Sequence, residues 1–342
     1  MSKKLLLTQS LRTLLIALTL GFLGCNNPSQ VTNISSANTA TSDELTNNLP
    51  RVVATTSILC DLTKQIARET VNLTCLIPPN SNAVVYEPKP EDGDAIAQAQ
   101  LILYNGYDLE PNLVQLIRSR NNKGLRVAVA QRSVSKPIKL KIEKKTIINP
   151  YVWHNTKNVV SMVDVVSRNL GKTVPENASL YDNNAQKIKQ ELKQLNTWIA
   201  ARIESIPENH RKLIATRNAM AYYAKAYELR YAVVLRGSNP DGMPTPRRTK
   251  ALAKYIKKNQ IATIFTEATN NSNAIATVAE QANVKVSERQ LFVDGLGEPG
   301  TEADTYQKMM IANTRTIVEG LGGTYLIFEP TPTKQAENIS QE

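Results

Sequence analysis

Histidine is nearly absent from this 342-residue chain, which has only His154 and His210, and cysteine is almost as scarce, with Cys25, Cys60 and Cys75. No His/Cys cluster therefore stands at metal-ligand spacing. There is no Gly-x-Ser-x-Gly elbow and no Walker-type glycine loop, so nothing marks the chain as an enzyme. Aromatics make up 5% of the residues and do not interleave with the basic pairs Lys144-Lys145, Arg247-Arg248 and Lys257-Lys258. That excludes a nucleic-acid platform. Long apolar runs are missing too. The stretch Leu14-Leu15-Ile16-Ala17-Leu18-Thr19-Leu20 is too short to stay in a bilayer as a spanning helix.

What is present at the start is an export signal: Lys3, Lys4 and Arg12 precede that apolar stretch, and Phe22-Leu23-Gly24-Cys25 puts a small residue before a cysteine, as lipoprotein processing requires. Residues 1–24 are expected to be removed, leaving Cys25 as a lipidated N-terminus that anchors the chain to a membrane. Residues 25–50 are rich in Asn, Ser, Thr and Gln and read as a tether. The formal charge of +11, less the three charges of Lys3, Lys4 and Arg12, leaves +8 on the mature chain. The excess reads as spread out, in solvated basic pairs whose simplest attraction is to anionic lipid. Export permits a Cys60–Cys75 disulfide, but the spacing does not demand one.

From Arg51 onward, short β-branched runs alternate with helical patterns, which predicts parallel α/β architecture. Strands are expected over 52–55, 71–77, 101–104 and 126–130 in a first lobe, residues 51–174. A second lobe, residues 208–326, has strands over 213–216, 231–235, 261–266 and 284–286 in one further sheet. A polar tail occupies 327–342. Residues 175–207 lack internal glycine and proline, and Ile188, Leu192, Leu195, Ile199, Ile203 and Ile206 step by three and four. This predicts one amphipathic helix of roughly 45 Å, an intramolecular strut in a monomer rather than a dimerisation coil.

Several segments together resemble the zinc/manganese receptor family of ABC-transporter solute-binding proteins. They are Val52-Val53-Ala54-Thr55-Thr56-Ser57-Ile58-Leu59, Tyr86-Glu87-Pro88, Tyr104-Asn105-Gly106, Asn149-Pro150-Tyr151-Val152-Trp153, Ala219 to Tyr227, Ile264-Phe265-Thr266-Glu267 and Asp294-Gly295-Leu296. The resemblance implies two sandwich-like α/β lobes with parallel-rich sheets, joined by one rigid helix, with a solute cleft between them. It also implies an exported location, periplasmic or on the outer membrane face, a permease partner, and zinc or manganese as cargo.

The family's four ligand positions fall on Val85, Tyr151, Arg217 and Asp294, so only Asp294 is retained as a metal ligand. Neither an isopropyl group nor a guanidinium can coordinate a cation. His154 is a conceivable displaced ligand, although its position reads more readily as a surface or cap histidine, and the acidic residue the family places before its Pro-Ser/Thr-Pro stretch is Met243 here. A buried Asp294 without a metal needs another cation. Arg217 is expected to fork onto it, with Tyr151 donating a hydroxyl hydrogen bond and Glu267 nearby. A small anionic or polar solute held by Arg217, Tyr151 and His154, or an adhesin-like protein partner, is the competing reading.

Overall fold

The computed structural model describes residues 49–119, 121–142, 145–233, 245–269 and 273–331. The signal, Cys25, nearly all of the tether, Met243 and the tail beyond Thr331 lie outside the described residues.

Four valine-, leucine- and isoleucine-rich segments make the first sheet. β1 (Arg51–Ala54), β2 (Asn72–Cys75), β3 (Leu101–Tyr104) and β4 (Leu125–Ala128) pair in the order β2-β1-β3-β4, all parallel. Val52, Val53, Leu101, Ile102 and Leu103 are buried, as central parallel strands covered on both faces must be. Helices α1 (Ser57–Ala67), α2 (Pro90–Gln98), α3 (Pro111–Ser119) and α4 (Val129–Ser133) form the connections. The strand expected to reach residue 130 stops at Ala128. Ala130 N–H instead bonds the Asn105 carbonyl, which turns the chain into α4. An antiparallel hairpin of β5 (Lys139–Ile142) and β6 (Lys145–Ile148) follows, concealed in the sequence by its lysines.

Next come α5 (Thr156–Thr173) and the 27-residue α6 (Ala178–Glu204), which is about 40 Å long. Pro175–Asn177, expected within this helix, forms a separate 3-10 turn before it. The apolar stripe of α6 is buried throughout, and the helix packs on α5 and α1.

In the second half, β7 (Lys212–Ala215) leads to α7 (Ala221–Ala226) and pairs in parallel with β8 (Arg230–Val233). After α8 (Pro246–Lys258), β9 (Thr263–Ile264) and, beyond α9 (Asn273–Ala282), β10 (Lys285–Val286) form another parallel pair. Among the described residues, one backbone hydrogen bond, Phe265 N–H to Ile214 O at 3.4 Å, joins the two pairs. The expected continuous second sheet is thus divided, because β9 has only two residues. The last helix, α10 (Tyr306–Gly320), also packs against α6.

Residues 324–331, partly counted with the tail on composition, lie extended along α6. Ser205 Oγ accepts from Thr324 N–H (2.8 Å), Arg202 donates to Thr324 O (3.1 Å) and Trp198 Nε1 donates to Leu326 O (3.1 Å). Gln194 exchanges two hydrogen bonds with Thr331, and Tyr325 and Phe328 pack on the Trp198 ring.

The two halves also touch directly. Leu296 N–H bonds Ser57 Oγ (3.0 Å), Asn80 N–H bonds Leu296 O (2.9 Å) and Tyr306 N–H bonds Asp61 Oδ2 (2.9 Å). The Gly295 backbone passes so near that an added Cβ would stand 2.5 Å from Ser57 Oγ. A larger residue at 295 would displace the Ser57 hydroxyl and with it the bond from Leu296 N–H.

Cys60 on α1 and Cys75 at the end of β2 are joined in a disulfide, with Cα atoms 5.6 Å apart. Spacing alone could not show this, because the proximity comes from α1 folding back over the parallel β1/β2 pair. The bridge closes a loop of about 15 residues, for which chain entropy gives about 3 kcal/mol. The double substitution Cys60→Ser/Cys75→Ser should lower unfolding stability by that order, read as a lower urea midpoint, with an m-value no smaller than the parent's because the unfolded chain is released.

Candidate functional site

Arg217 stands at the turn between β7 and α7, held by its own backbone. Its N–H donates to Glu267 Oε1 at 3.1 Å and its carbonyl accepts the Tyr231 hydroxyl. The side chain then turns inward. Nε donates to Glu267 Oε2 at 3.0 Å, while Nη2 lies 2.9 Å from that same oxygen and 2.7 Å from Asp294 Oδ2. Nη1 reaches the Tyr151 hydroxyl oxygen at 3.3 Å, and the guanidinium carbon is 6.0 Å from the Tyr151 ring centroid. Both carboxylate side chains are essentially inaccessible, 0% for Glu267 and 1% for Asp294, against 24% for Arg217.

The geometry differs from the expected fork in two respects. The guanidinium divides itself between two carboxylates instead of gripping Asp294 with both nitrogens, because Glu267 already holds the Arg217 backbone and so fixes the direction of the side chain. Tyr151 additionally accepts a hydrogen bond from Arg217 Nη1, a role that leaves its own hydroxyl proton available to donate towards Asp294.

Electrostatics follow from burial. Burial alone would favour a neutral Arg217, but Glu267 and Asp294 outweigh it and hold its pKa above the usual arginine value. Burial, with Asp294 next in size, pushes the Tyr151 hydroxyl up, so it stays protonated. One cation faces two anions, and Thr269 Oγ1 adds a donor to Asp294 Oδ2, while the buried Asp294 Oδ1 makes no hydrogen bond among the described residues.

The first half brings Tyr151 to this cluster through Asn149. Asn149 Oδ1 accepts from Tyr151 N–H (3.0 Å), its Nδ2 donates to Asn218 O (2.8 Å), and its carbonyl accepts the Tyr222 hydroxyl (3.1 Å). The loop is thereby fastened to the residue next to Arg217. His154 lies in the same loop and is fully buried, with Nε2 2.9 Å from Val293 O. Burial pushes its pKa down to about 4, so the ring is neutral and Nε2–H donates. It is neither the surface or cap residue its position suggested nor a member of the Arg217 hydrogen-bond set. Val85 lies on the short 3-10 turn Ala83–Val85 and is 67% exposed.

Sequence reasoning missed Thr269 and Tyr231. Thr269 had a weak signal, two residues beyond Glu267 on the loop leaving β9. Tyr231 had none, since its hydroxyl arrives from the neighbouring strand β8. Glu110 was also missed. It is buried behind the Tyr151 loop, where Oε1 accepts from Thr55 Oγ1 (2.9 Å) and Asn105 N–H (2.6 Å), and Asn105 Nδ2 reaches Pro150 O (3.2 Å).

As a cation site the arrangement has two carboxylates, both already engaged by a guanidinium, and one protonated phenol. Among the described residues, no three His, Cys, Asp or Glu side chains come together as a metal-holding group. The donor set does not fit a divalent ion while Arg217 is in place.

A two-lobed α/β molecule with its polar centre between the halves defines a solute-binding protein of the extracytoplasmic receptor type. The family described as ZnuA, zinc-uptake complex component A, periplasmic, matches residues 52–320, and the chain belongs to it. The manganese-binding lipoprotein MntA of Halalkalibacterium halodurans is 29% identical over 272 residues, 79% of this chain and 88% of that protein. The metal ABC transporter substrate-binding lipoprotein SsaB of Streptococcus sanguinis is 28% identical over 276 residues, 79% and 89% of the two chains. The periplasmic zinc binding protein TroA from Treponema pallidum superposes with a TM-score of 0.73 at 25% identity, over 80% of this chain and 99% of that one. These relatives do not favour the adhesin-like or anionic-solute alternative.

Two predictions follow from the buried charges. Arg217→Met leaves Glu267 and Asp294 without their cation and should cost about 3–5 kcal/mol. Adding Glu267→Gln to that variant should recover part of the loss, as a double-mutant cycle by urea unfolding would show. Burial raises the Glu110 pKa from 4.5 to about 7. The folded state therefore binds this proton more tightly than the unfolded state, and stability is lost as pH rises from about 4.5 through about 7. Glu110→Gln should remove that slope, making the variant more stable than its parent at pH 8 by up to about 3 kcal/mol, with no gain from this group at pH 4.

Proposed function

We propose that the chain is the anchored extracytoplasmic receptor component of an ABC transporter of the zinc/manganese class, with the guanidinium of Arg217 in the position its relatives reserve for cargo. Anchoring is through lipidated Cys25, residues 25–50 form the tether, and the partner is the transporter's permease. The lobes are taken as residues 51–174 and 208–326, with 175–207 between them. The observation that carries the reading is the pairing of Arg217 with both Asp294 and Glu267, at 2.7 and 2.9 Å. A cation that belongs to the chain neutralises the retained family ligand and bridges to Tyr151 from the other lobe, so the lobes stay together without a metal ion. Family membership supports the transport role over catalysis, because the family is one of uptake components.

The test is metal analysis of the purified mature protein together with calorimetry against zinc and manganese. No stoichiometric metal and no heat of one-to-one binding are expected. Tight one-to-one binding of either ion at neutral pH would overturn the reading. The triple substitution Val85→His/Tyr151→His/Arg217→Glu, which returns donors to the family's ligand positions, should create a binding isotherm that the parent lacks.

A further inference from the structure

The positive charge of this protein is not evenly distributed, contrary to the impression its sequence gives. Helix α8 carries Arg247, Arg248, Lys250, Lys254, Lys257 and Lys258 and no acidic residue, so six of the eight net charges of the mature chain sit on 13 residues. The remainder of the mature protein is close to neutral.

Helical geometry gathers these charges further. Thr249, Ala253 and Ile256 are the buried positions and set the face that packs toward α9. At about 100° per residue, Lys257, Lys250, Lys254, Arg247 and Lys258 fall on one exposed stripe about 100° wide. Tyr255, 41% exposed, flanks the stripe. The adjoining helix α9 holds one acid, Glu280. None of the five stripe cations makes an ion pair among the described residues.

Five like charges on one stripe repel one another; only Lys257 and Lys258, in the last turn, gain from the helix dipole, so the stripe as a whole favours an anionic surface. We propose that the exposed face of α8 is a docking surface for an anionic phospholipid membrane, and that it lays the second lobe against the bilayer to which the chain is anchored. The occupant follows from charge and reach. An anionic headgroup layer is the one extended anionic surface that the anchor keeps within range. A polar linker of 26 residues, the length of the segment 25–50, spans about 25–30 Å root-mean-square, enough for the folded part to turn this face down. Tyr255 is placed as an interfacial aromatic beside the lysines. Lysines near an anionic surface contribute roughly 1 kcal/mol each, and the contribution fades within a Debye length.

The proposal rests on the anchored-receptor reading, and its test is kept separate from the anchor. The mature chain, residues 25–342, with Cys25→Ser carries no acyl group. It is incubated at 0.1 M salt with phosphatidylcholine vesicles, or with the same vesicles containing 30% phosphatidylglycerol, and bound protein is measured by flotation. Binding to the anionic vesicles only, lost at 0.5 M salt, is expected. Lys250→Gln/Lys254→Gln/Lys257→Gln should lower the partition coefficient about 100-fold, the equivalent of three such lysines. Lys123→Gln/Lys136→Gln/Lys187→Gln, an equal charge change at exposed positions elsewhere, should leave it within a few-fold. Overturning results are equal binding to both vesicles, no binding to the anionic ones, an unchanged stripe variant, or retention by a soluble polyanion alone. The mass of the Cys25 peptide from the native protein tests the anchor independently: absence of an acyl group would refute the anchor and leave the vesicle result standing.

Discussion

A guanidinium shared by two buried carboxylates organises the centre of this molecule. Glu267 fixes the Arg217 backbone and side chain together, Asp294 receives the far nitrogen, and Tyr151 from the other half accepts the last donor. A divalent ion draws donors inward from all directions, whereas a guanidinium donates only within its plane. The surrounding residues match that difference: Val85 points no donor inward, and the Tyr151 hydroxyl accepts from Arg217 while its own proton faces Asp294. The arrangement leaves one negative charge in excess, so the hydroxyl of Thr269 and the nearby backbone become part of the neutralisation.

Much of this was legible in the chain. The parallel first sheet followed from Val52, Val53, Ile102 and Leu103, whose continuous apolar runs carry their own strand signal. The long helix followed from its apolar steps, and the pairing of Arg217 with Asp294 from the cost of leaving a carboxylate buried alone. What could not be read depends on tertiary direction. That Glu267 is a principal partner of Arg217 requires the β7 turn to face the loop after β9. That Cys60 meets Cys75 requires α1 to fold over its own strand. His154 looked like a surface or cap residue because nothing in its neighbours encodes the Val293 carbonyl that receives it. The concentration of charge on α8 was hidden for a different reason: the sequence shows two separated basic pairs, and only the helical repeat gathers them on one side.

Further hydrogen bonds between the halves belong to the same design. Ser57, Asp61 and Asn80 in the first half meet Leu296 and Tyr306 in the second, close to the loop that carries Asp294. A change that weakened Arg217 would thus act on a contact surface with further attachments of its own. Loss of the guanidinium would be felt first as uncompensated charge and only afterwards as separation of the lobes.

The extended segment over α6 has a mechanical meaning. The match to the family runs to residue 320, and residues 324–331 continue down the long helix, bonded at Ser205, Arg202, Trp198 and Gln194. A rod fastened at intervals to a second, inextensible strand resists flexure far better than the bare rod, because bending must shear every fastening at once. This helix is splinted. The long helix that runs between the halves is thereby made to act as a beam.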